Sequence, residues 1–386
     1  MKIVLAPNAL KGSLSAIKAA AAMEKGCRAA CAEAEIRAIP VSDGGDGLVE
    51  VLLKALGGDR RNERVTGPLG GEVAAEYALL PDGRTAVLEM ASASGLALVP
   101  EDKRDPAVTT TRGTGELIRT ALDHGARIFL LGIGGSATND GGAGMAAVLG
   151  ARFLNRHGQA FLPVGCTLRE IEKLDLSGLD PRIRESDIRV ACDVENPLLG
   201  PTGATRVYAP QKGASVEGVE ALEAGLAHLA DRIESDLGIR VRPLPGGGAA
   251  GGLGAGLVAF LGAKLTRGAD TVLALVGLSE HLEGADLAIT AEGRLDSQTA
   301  FGKAPAAVAA LARRQGVPCI VLAGSVACEA AALREAGFVA ALSICPGPVA
   351  LADALANAST YLCQTTEEAV RLFLAGGRLA WASSKR

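Results

Sequence analysis

Short apolar runs that end in glycine recur along the chain, each followed by a stretch of helical periodicity. Residues 2–6 (Lys-Ile-Val-Leu-Ala) read as a strand and residues 7–14 as a loop. Ser13 or Ser15 can cap a helix that runs to about Ala32. Residues 36–41 form a second strand, and residues 47–56 a helix closed by Gly57-Gly58. Strand, helix, strand, helix is the opening of a doubly wound α/β sheet.

The texture then changes. Residues 64–97 hold Gly67-Pro68-Leu69-Gly70-Gly71 and Pro81-Asp82-Gly83 between short β-type runs, a pattern of antiparallel hairpins. A helix over 114–124 leads to a strand over 127–131, and further strands and helices follow at 188–192, 216–237 and from the glycine cluster 246–256 to about Lys264. From 285 the opening texture returns, with strands at 285–289, 319–323 and 339–344, helices at 304–315 and 328–336, and a closing helix at 365–375. The expected organisation is one α/β domain made of 1–62 and 284–386, with a second α/β domain, 63–283, inserted between them.

Glycine-rich loops at the strand ends carry the chemistry. Leu130-Leu131-Gly132-Ile133-Gly134-Gly135-Ser136-Ala137-Thr138-Asn139-Asp140-Gly141-Gly142-Ala143-Gly144 takes an apolar strand through small hydroxyl residues into a helix. Without Cβ atoms, backbone N–H groups can wrap an anion, and a helix start adds partial positive charge. A tight turn that packs strand on helix would read the same way. Similar loops follow at Val41-Ser42-Asp43-Gly44-Gly45-Asp46-Gly47, at Pro245 to Gly256, and at Thr290 to Thr299. In open α/β sheets ligands gather at the carboxyl ends of the strands. Lys11, Ser13, Asp43, Asp46, Glu292, Arg294, Asp296 and Thr299 should therefore share one edge, and Asp193 should come from the inserted domain.

Composition narrows the partners. The 386 residues are 48% hydrophobic but only 3% aromatic, so the core must be aliphatic. The 50 glycines, nearly double a usual share of about 7%, sit in discrete loops. A net charge of −4 without basic clusters argues against nucleic acid or an anionic membrane as partner. The 8 cysteines form no C-x-x-C pair and suit a reducing compartment. The first residues read as a strand rather than a signal peptide, and no apolar run approaches the ~18 residues of a membrane span. A soluble, cytoplasmic protein is expected.

Elimination leaves phosphoryl transfer. There is no G-x-x-x-x-G-K-[ST]; Gly302-Lys303 is followed by Ala304, which lacks the metal-binding hydroxyl. No G-x-G-x-x-G follows the first strand, which counts against a nicotinamide-dependent 2-hydroxy-acid dehydrogenase, and no G-x-S-x-G elbow is present. None of the 4 histidines lies beside a glycine loop. Phosphoryl transfer needs positioning, a divalent cation, positive charge and an acid to orient the nucleophile. Asp43, Asp193, Glu292 and Asp296 are candidates for the metal or the base, and Lys11 and Arg294 for gripping phosphate or a substrate carboxylate. Asp43 and Asp296 equally suit Asx-turns. Ser92 and Ser94 suit either a ligand contact or a turn.

The chain resembles the type I bacterial glycerate kinase family. The resemblance rests on Ala6-Pro7-Asn8-Ala9-Leu10-Lys11-Gly12-Ser13-Leu14-Ser15, Pro40 to Gly47, Glu89-Met90-Ala91-Ser92-Ala93-Ser94-Gly95-Leu96 and Gly113 to Ile118. It continues through Gly132 to Met145, Cys192-Asp193-Val194-Glu195-Asn196-Pro197-Leu198, Pro210-Gln211-Lys212-Gly213-Ala214, Ala249 to Gly254 and Glu292 to Lys303. It implies ATP-dependent phosphorylation of D-glycerate, usually at the 2-hydroxyl. It also implies a flavodoxin-like domain split in sequence around a second α/β domain, with the active site in the interdomain cleft. Phosphorylation at the 3-hydroxyl stays open at this point, as does assembly as monomer or homodimer.

On that resemblance the glycerate carboxylate is expected near Lys11 and Arg294, with Ser13, Ser92 and Ser94 as further substrate contacts. ATP phosphates are expected against Gly134, Gly135, Ser136, Ala137, Thr138 and Asn139, with Lys303 near them. Mg²⁺ is expected among Asp43, Asp193 and Glu292, and the hydroxyl proton on Asp193 or Asp296. The chain departs from the family pattern in its first loop, which often reads Pro-Asp-Ser-Phe-Lys-Gly; here Asn8, Ala9 and Leu10 take the middle places. Ala291 stands where glycine is frequent, and Leu199 where cysteine is frequent.

Overall fold

A computed structural model describes residues 1–296 and 303–383, which divide into two compact units. The first unit joins residues 1–43 to 269–386, and the second spans 44–268.

The first unit is built on five parallel strands, in the spatial order Glu35–Ala38, Lys2–Leu5, Leu287–Leu295, Cys319–Val326, Ala340–Ser343. Counted along the chain this is order 2-1-3-4-5, the flavodoxin-like winding. Ile3, Leu5, Leu287, Ile289 and Leu322 supply one apolar face of the sheet, covered by Ala19 and Met23 of the helix Ala16–Ala30 and by Leu362 and Val370 of the helix Ala358–Ser383. Ser15 caps the first of these helices by accepting the Lys18 N–H. The winding direction reverses between Lys2–Leu5 and Leu287–Leu295, so the chain leaves these adjacent strands toward opposite sides. That is where such a sheet opens a crevice for a ligand.

The second unit has a six-stranded mixed sheet in the order Lys264–Thr266, Asp187–Ala191, Ile128–Gly132, Thr85–Glu89, Glu72–Leu79, Asp59–Thr66. The first four strands run parallel, and the last two close as an antiparallel hairpin. A small antiparallel sheet of Arg152–Leu154, Ala160–Phe161 and Lys173–Asp175 follows the glycine loop. Its strands are too short, and too mixed in polarity, for an alternating pattern to show in the sequence. The core is aliphatic, as the composition requires, with Phe153 and Phe260 meeting edge-on at 5.7 Å between ring centroids.

Two boundaries differ from the sequence expectation. The units part at 43/44 and 268/269 rather than near 62 and 284. The helix Leu48–Leu56 stays with the second unit because Glu89, at the end of a strand of that sheet, accepts the Gly47 and Val49 N–H groups at 3.2 and 2.8 Å. Gly44 also lies against this sheet: a Cβ there would stand 2.3 Å from that of Ala191. A further difference concerns the stretch 290–295, expected as loop. The strand continues to Leu295, pairing Arg294 with Ser325 and Leu295 with Val326. Glu292, Arg294 and Asp296 thus follow at every second position, a spacing that in extended chain puts side chains on one face.

Candidate functional site

In the first unit, the loop after Lys2–Leu5 meets the strand Leu287–Leu295 at the reversal of winding. Thr290 Oγ1 donates to the Ala6 carbonyl, and the Asn8 amide N–H donates to the Ala291 carbonyl. These bonds hold Asn8 so that its Nδ2 donates to Glu292 Oε2 at 3.0 Å. Glu292 is buried, and burial pushes its carboxyl up to about 7. The Asn8 bond opposes that rise, the charge of Asp43 adds to it, and the charge of Lys303 opposes it. Asp43 and Lys303 therefore both act electrostatically on Glu292. Lys11 is exposed, and its backbone nitrogen would lie 3.0 Å from a Cβ at Gly293, so a side chain at 293 would press on this loop. Arg294 Nε stands 3.8 Å from Asp296 Oδ2 at the strand end. Ser13 gives its hydroxyl proton to the Leu355 carbonyl, which makes it a tie within the unit. Thr299 and Gly302 lie outside the described residues.

In the second unit, the loop after Ile128–Gly132 is buried from Ser136 to Asp140. Two sequence expectations change here. The helix that follows, Ala143–Val148, is short, and its start is already neutralised: Asp140 accepts the Gly142 and Gly144 N–H groups at 3.2 and 3.3 Å. Asp140 also takes the Thr111 N–H and hydroxyl at 2.8 and 2.9 Å. Burial raises its pKa, and these four bonds work against the rise. The helix terminus thus is not the anion grip that strand–glycine–helix suggested. Nor is the Ala137 amide, which donates to the Ser94 carbonyl.

What remains in the loop is more pointed. Among the described residues, the amide N–H groups of the buried Ser136, Thr138 and Asn139, and of the exposed Gly134 and Gly135 before them, donate to no protein acceptor. Thr138 Oγ1 and Asn139 Oδ1 are buried without a hydrogen-bond partner, although Asn139 Nδ2 donates to Thr205 Oγ1 at 3.2 Å. Buried polar atoms are nearly always satisfied in folded proteins, so unpaired donors and acceptors gathered in one loop point to a ligand. Lys212, 2% exposed, reaches into the same loop, donating to Ser136 Oγ at 2.6 Å and to the Thr138 carbonyl at 2.8 Å. Burial brings its ammonium down to about 7, with the Asp140 charge opposing. Sequence reading quoted Lys212 within a motif but did not mark it as a site residue. Lysines in loops are ordinarily solvated, and only the fold reveals that this one is enclosed. On the other side of the loop, Asp46 Oδ1 would lie 3.1 Å from a Cβ at Gly135.

Three further expected residues sit near these elements. Asp193 Oδ1 accepts the Gly268 N–H at 2.8 Å, which fixes the carboxylate after the strand Asp187–Ala191. Ser92 donates to the Glu76 and Glu89 carbonyls, and Ser94 Oγ accepts from Thr114, so both hydroxyls are engaged within the unit. The glycine cluster 246–256 is a packing device: a Cβ at Gly251, whose φ is +66°, would stand 1.9 Å from the Thr138 carbonyl oxygen. It lets the start of the helix Leu253–Leu261 lie directly on the Gly134–Asn139 loop. Among the described residues no cluster of three His, Cys, Asp or Glu forms a preassembled metal site, and no helix is long and apolar enough to cross a membrane.

Comparison with known proteins shows the family. The model of the glycerate kinase family matches residues 3–374. A glycerate kinase of Bacillus subtilis (strain 168) is 50% identical over 368 residues, covering 95% of this chain and 96% of that one. The glycerate 2-kinase of Escherichia coli (strain K12) is 46% identical, covering 98% of this chain and 100% of the relative. A crystal structure from Salmonella typhimurium LT2, provisionally described as glycerate kinase 2, superposes with a TM-score of 0.86 at 46% identity, covering 98% of this chain and 99% of that one.

Proposed function

The chain belongs to the glycerate kinase family, and on that premise we propose that it transfers the γ-phosphoryl group of ATP, with Mg²⁺, to the 2-hydroxyl of D-glycerate. The observation that carries the nucleotide assignment is the loop Gly134–Asn139, exposed at its two glycines and buried from Ser136, with its unpaired amides and the enclosed Lys212. A polyphosphate supplies acceptors for several such donors at once. In this reading the loop amides hold phosphate oxygens, and the Ser136 hydroxyl joins them.

The first unit supplies the acceptor chemistry. Arg294 and Lys11 would grip the glycerate carboxylate, Arg294 with two parallel bonds. Asp296, beside Arg294 at the strand end, would take the proton of the attacking hydroxyl. Ser13 in the first unit, and Ser92 and Ser94 in the second, would brace their own units rather than touch substrate, since their hydroxyls make hydrogen bonds there.

The residues fit a divalent cation. Mg²⁺ takes one or two carboxylates and completes its shell with phosphate and water, so the lack of a three-residue cluster among the described residues does not stand against it. Glu292 and Asp43 would hold it: Glu292 is buried under the like charge of Asp43, an arrangement that a cation relieves. Asp193, fixed by the Gly268 N–H, is a further carboxylate for the reaction. When bound, the ion would neutralise charge on the phosphates. The test is formation of ADP by the purified protein with ATP, Mg²⁺ and D-glycerate. Release that requires both glycerate and a divalent cation supports the reading; release indifferent to glycerate overturns it.

A further inference from the structure

We propose that Lys212 is the positioning cation of the Gly134–Asn139 loop: it turns the Ser136 hydroxyl into a donor toward a bound polyphosphate and balances the charge that the polyphosphate brings. The proposal rests on the placement of the nucleotide phosphates at this loop.

Three observations lead to it. First, the Lys212 ammonium is enclosed and donates to uncharged acceptors, Ser136 Oγ at 2.6 Å and the Thr138 carbonyl at 2.8 Å. An ammonium has three N–H donors, so a third remains after these two. Second, a lysine donor on Ser136 Oγ occupies a lone pair of that oxygen. The hydroxyl proton of Ser136 must then point away from Lys212. Third, the surrounding loop is short of acceptors: the Thr138 hydroxyl is buried and unpaired, and among the described residues the amides of the buried Ser136, Thr138 and Asn139 and of the exposed Gly134 and Gly135 have none. A buried lysine tied only to neutral groups is unfavourable. An anion seated on the loop removes that disadvantage.

Asp140 is the ionisable group that acts on Lys212 among the described residues, and it is committed to Thr111, Gly142 and Gly144. It therefore balances the lysine only in part. Burial brings the ammonium down to about 7. An arriving polyphosphate stabilises the charged form. Binding above neutral pH is thereby linked to uptake of a proton by Lys212, drawn from solvent.

The test measures dissociation constants of inorganic tripolyphosphate, ATP and adenosine for the full chain and for Lys212→Met, Ser136→Ala and the double variant. Loss of one hydrogen bond that involves a charged group corresponds to about a ten- to hundredfold change. Lys212→Met is expected to weaken ATP and tripolyphosphate by about that factor and leave adenosine unchanged. Because Lys212 acts through Ser136, the double variant should bind little worse than Lys212→Met alone. Lys212→Met within about twofold of the wild type, with Ser136→Ala weakened, overturns the role of Lys212 and leaves the phosphates on the loop. Unchanged binding in both single variants overturns the placement of the phosphates itself. Equal weakening of adenosine and tripolyphosphate marks a collapsed site and contradicts a role specific to the anion. A readout on the wild type stands apart from folding of the variants: calorimetry at pH 8 in two buffers of different ionisation enthalpy. Uptake of a fraction of a proton with tripolyphosphate agrees with the proposal, and no uptake overturns it.

Discussion

Asn8 Nδ2 donates to the buried carboxylate of Glu292 at 3.0 Å, bridging the loop of the first strand and the body of the third at the reversal of winding. Replacing Asn8 with alanine removes the side-chain donor of a buried acid. A hydrogen bond to a charged group contributes about 1.5–3 kcal/mol, so Asn8→Ala should lower kcat by at least about tenfold while the sheet remains folded. Steady-state kinetics beside a circular dichroism melt checks this. Wild-type turnover in Asn8→Ala would remove the pair from the working site.

The strand end should divide binding from chemistry. Arg294→Ala is expected to raise the KM for glycerate by about ten- to a hundredfold, the effect of losing a charged bidentate grip. Asp296→Asn is expected to lower kcat by about a hundredfold or more with little change in KM, as for loss of a general base. Initial-rate measurements with glycerate varied at saturating ATP separate the two. Equal effects on both parameters in both variants would contradict the assigned roles.

Asp140 holds the Gly134–Asn139 loop and the helix after it from inside. Its four accepted bonds are buried, and removing the carboxylate orphans the Thr111, Gly142 and Gly144 donors together. Each orphaned buried donor costs about 1–3 kcal/mol, so Asp140→Ala should be among the more destabilising single changes in the second unit. Gly251→Ala should also destabilise, because its Cβ would collide with the Thr138 carbonyl in a backbone conformation with φ +66°. Denaturant melts of the two variants test this, and midpoints equal to the wild type would contradict the packing described.

Lys212 sets a sign for the pH dependence of stability. Its folded pKa is lowered to about 7 from an unfolded value of 10.5. Between these values the unfolded chain binds the extra proton, so this lysine contributes increasing stability as pH rises from about 7 toward 10. The destabilisation is full below about 7, where the charged form stays buried. Lys212→Met lacks the term, so its melting temperature minus that of the wild type should fall steadily over that pH range. A constant or growing difference would show that Lys212 is not buried as a charged amine in the folded state.

Much of the first unit is legible in the sequence because its central parallel strands, such as Lys2–Leu5 and Cys319–Val326, carry short apolar runs. The return of that texture after 285 predicted one sheet from both ends of the chain, and the 2-1-3-4-5 order follows. The extent of the third strand is not legible. Glu292 and Arg294 read as loop because they are charged, yet the ladder with Cys319–Val326 makes them strand, with Asp296 just past its end. In the Gly134–Asn139 loop, the sequence shows glycines and hydroxyls but not which amides are taken. Ser94 uses the Ala137 N–H and Asp140 uses the helix start, contacts made by residues 43 positions and two to four positions away. Lys212, 76 residues from Ser136, enters the loop by tertiary folding alone.

The most direct test of the account is the identity of the product. The purified protein would be incubated with ATP, Mg²⁺ and D-glycerate, ADP followed by a coupled assay, and the phosphoglycerate assigned by phosphorus and proton NMR. The account predicts ADP formed in step with glycerate consumed, and phosphorus coupled to the proton on C2. Phosphorus coupled to the C3 protons would contradict the assigned position, and absence of glycerate-dependent ADP would contradict the account as a whole.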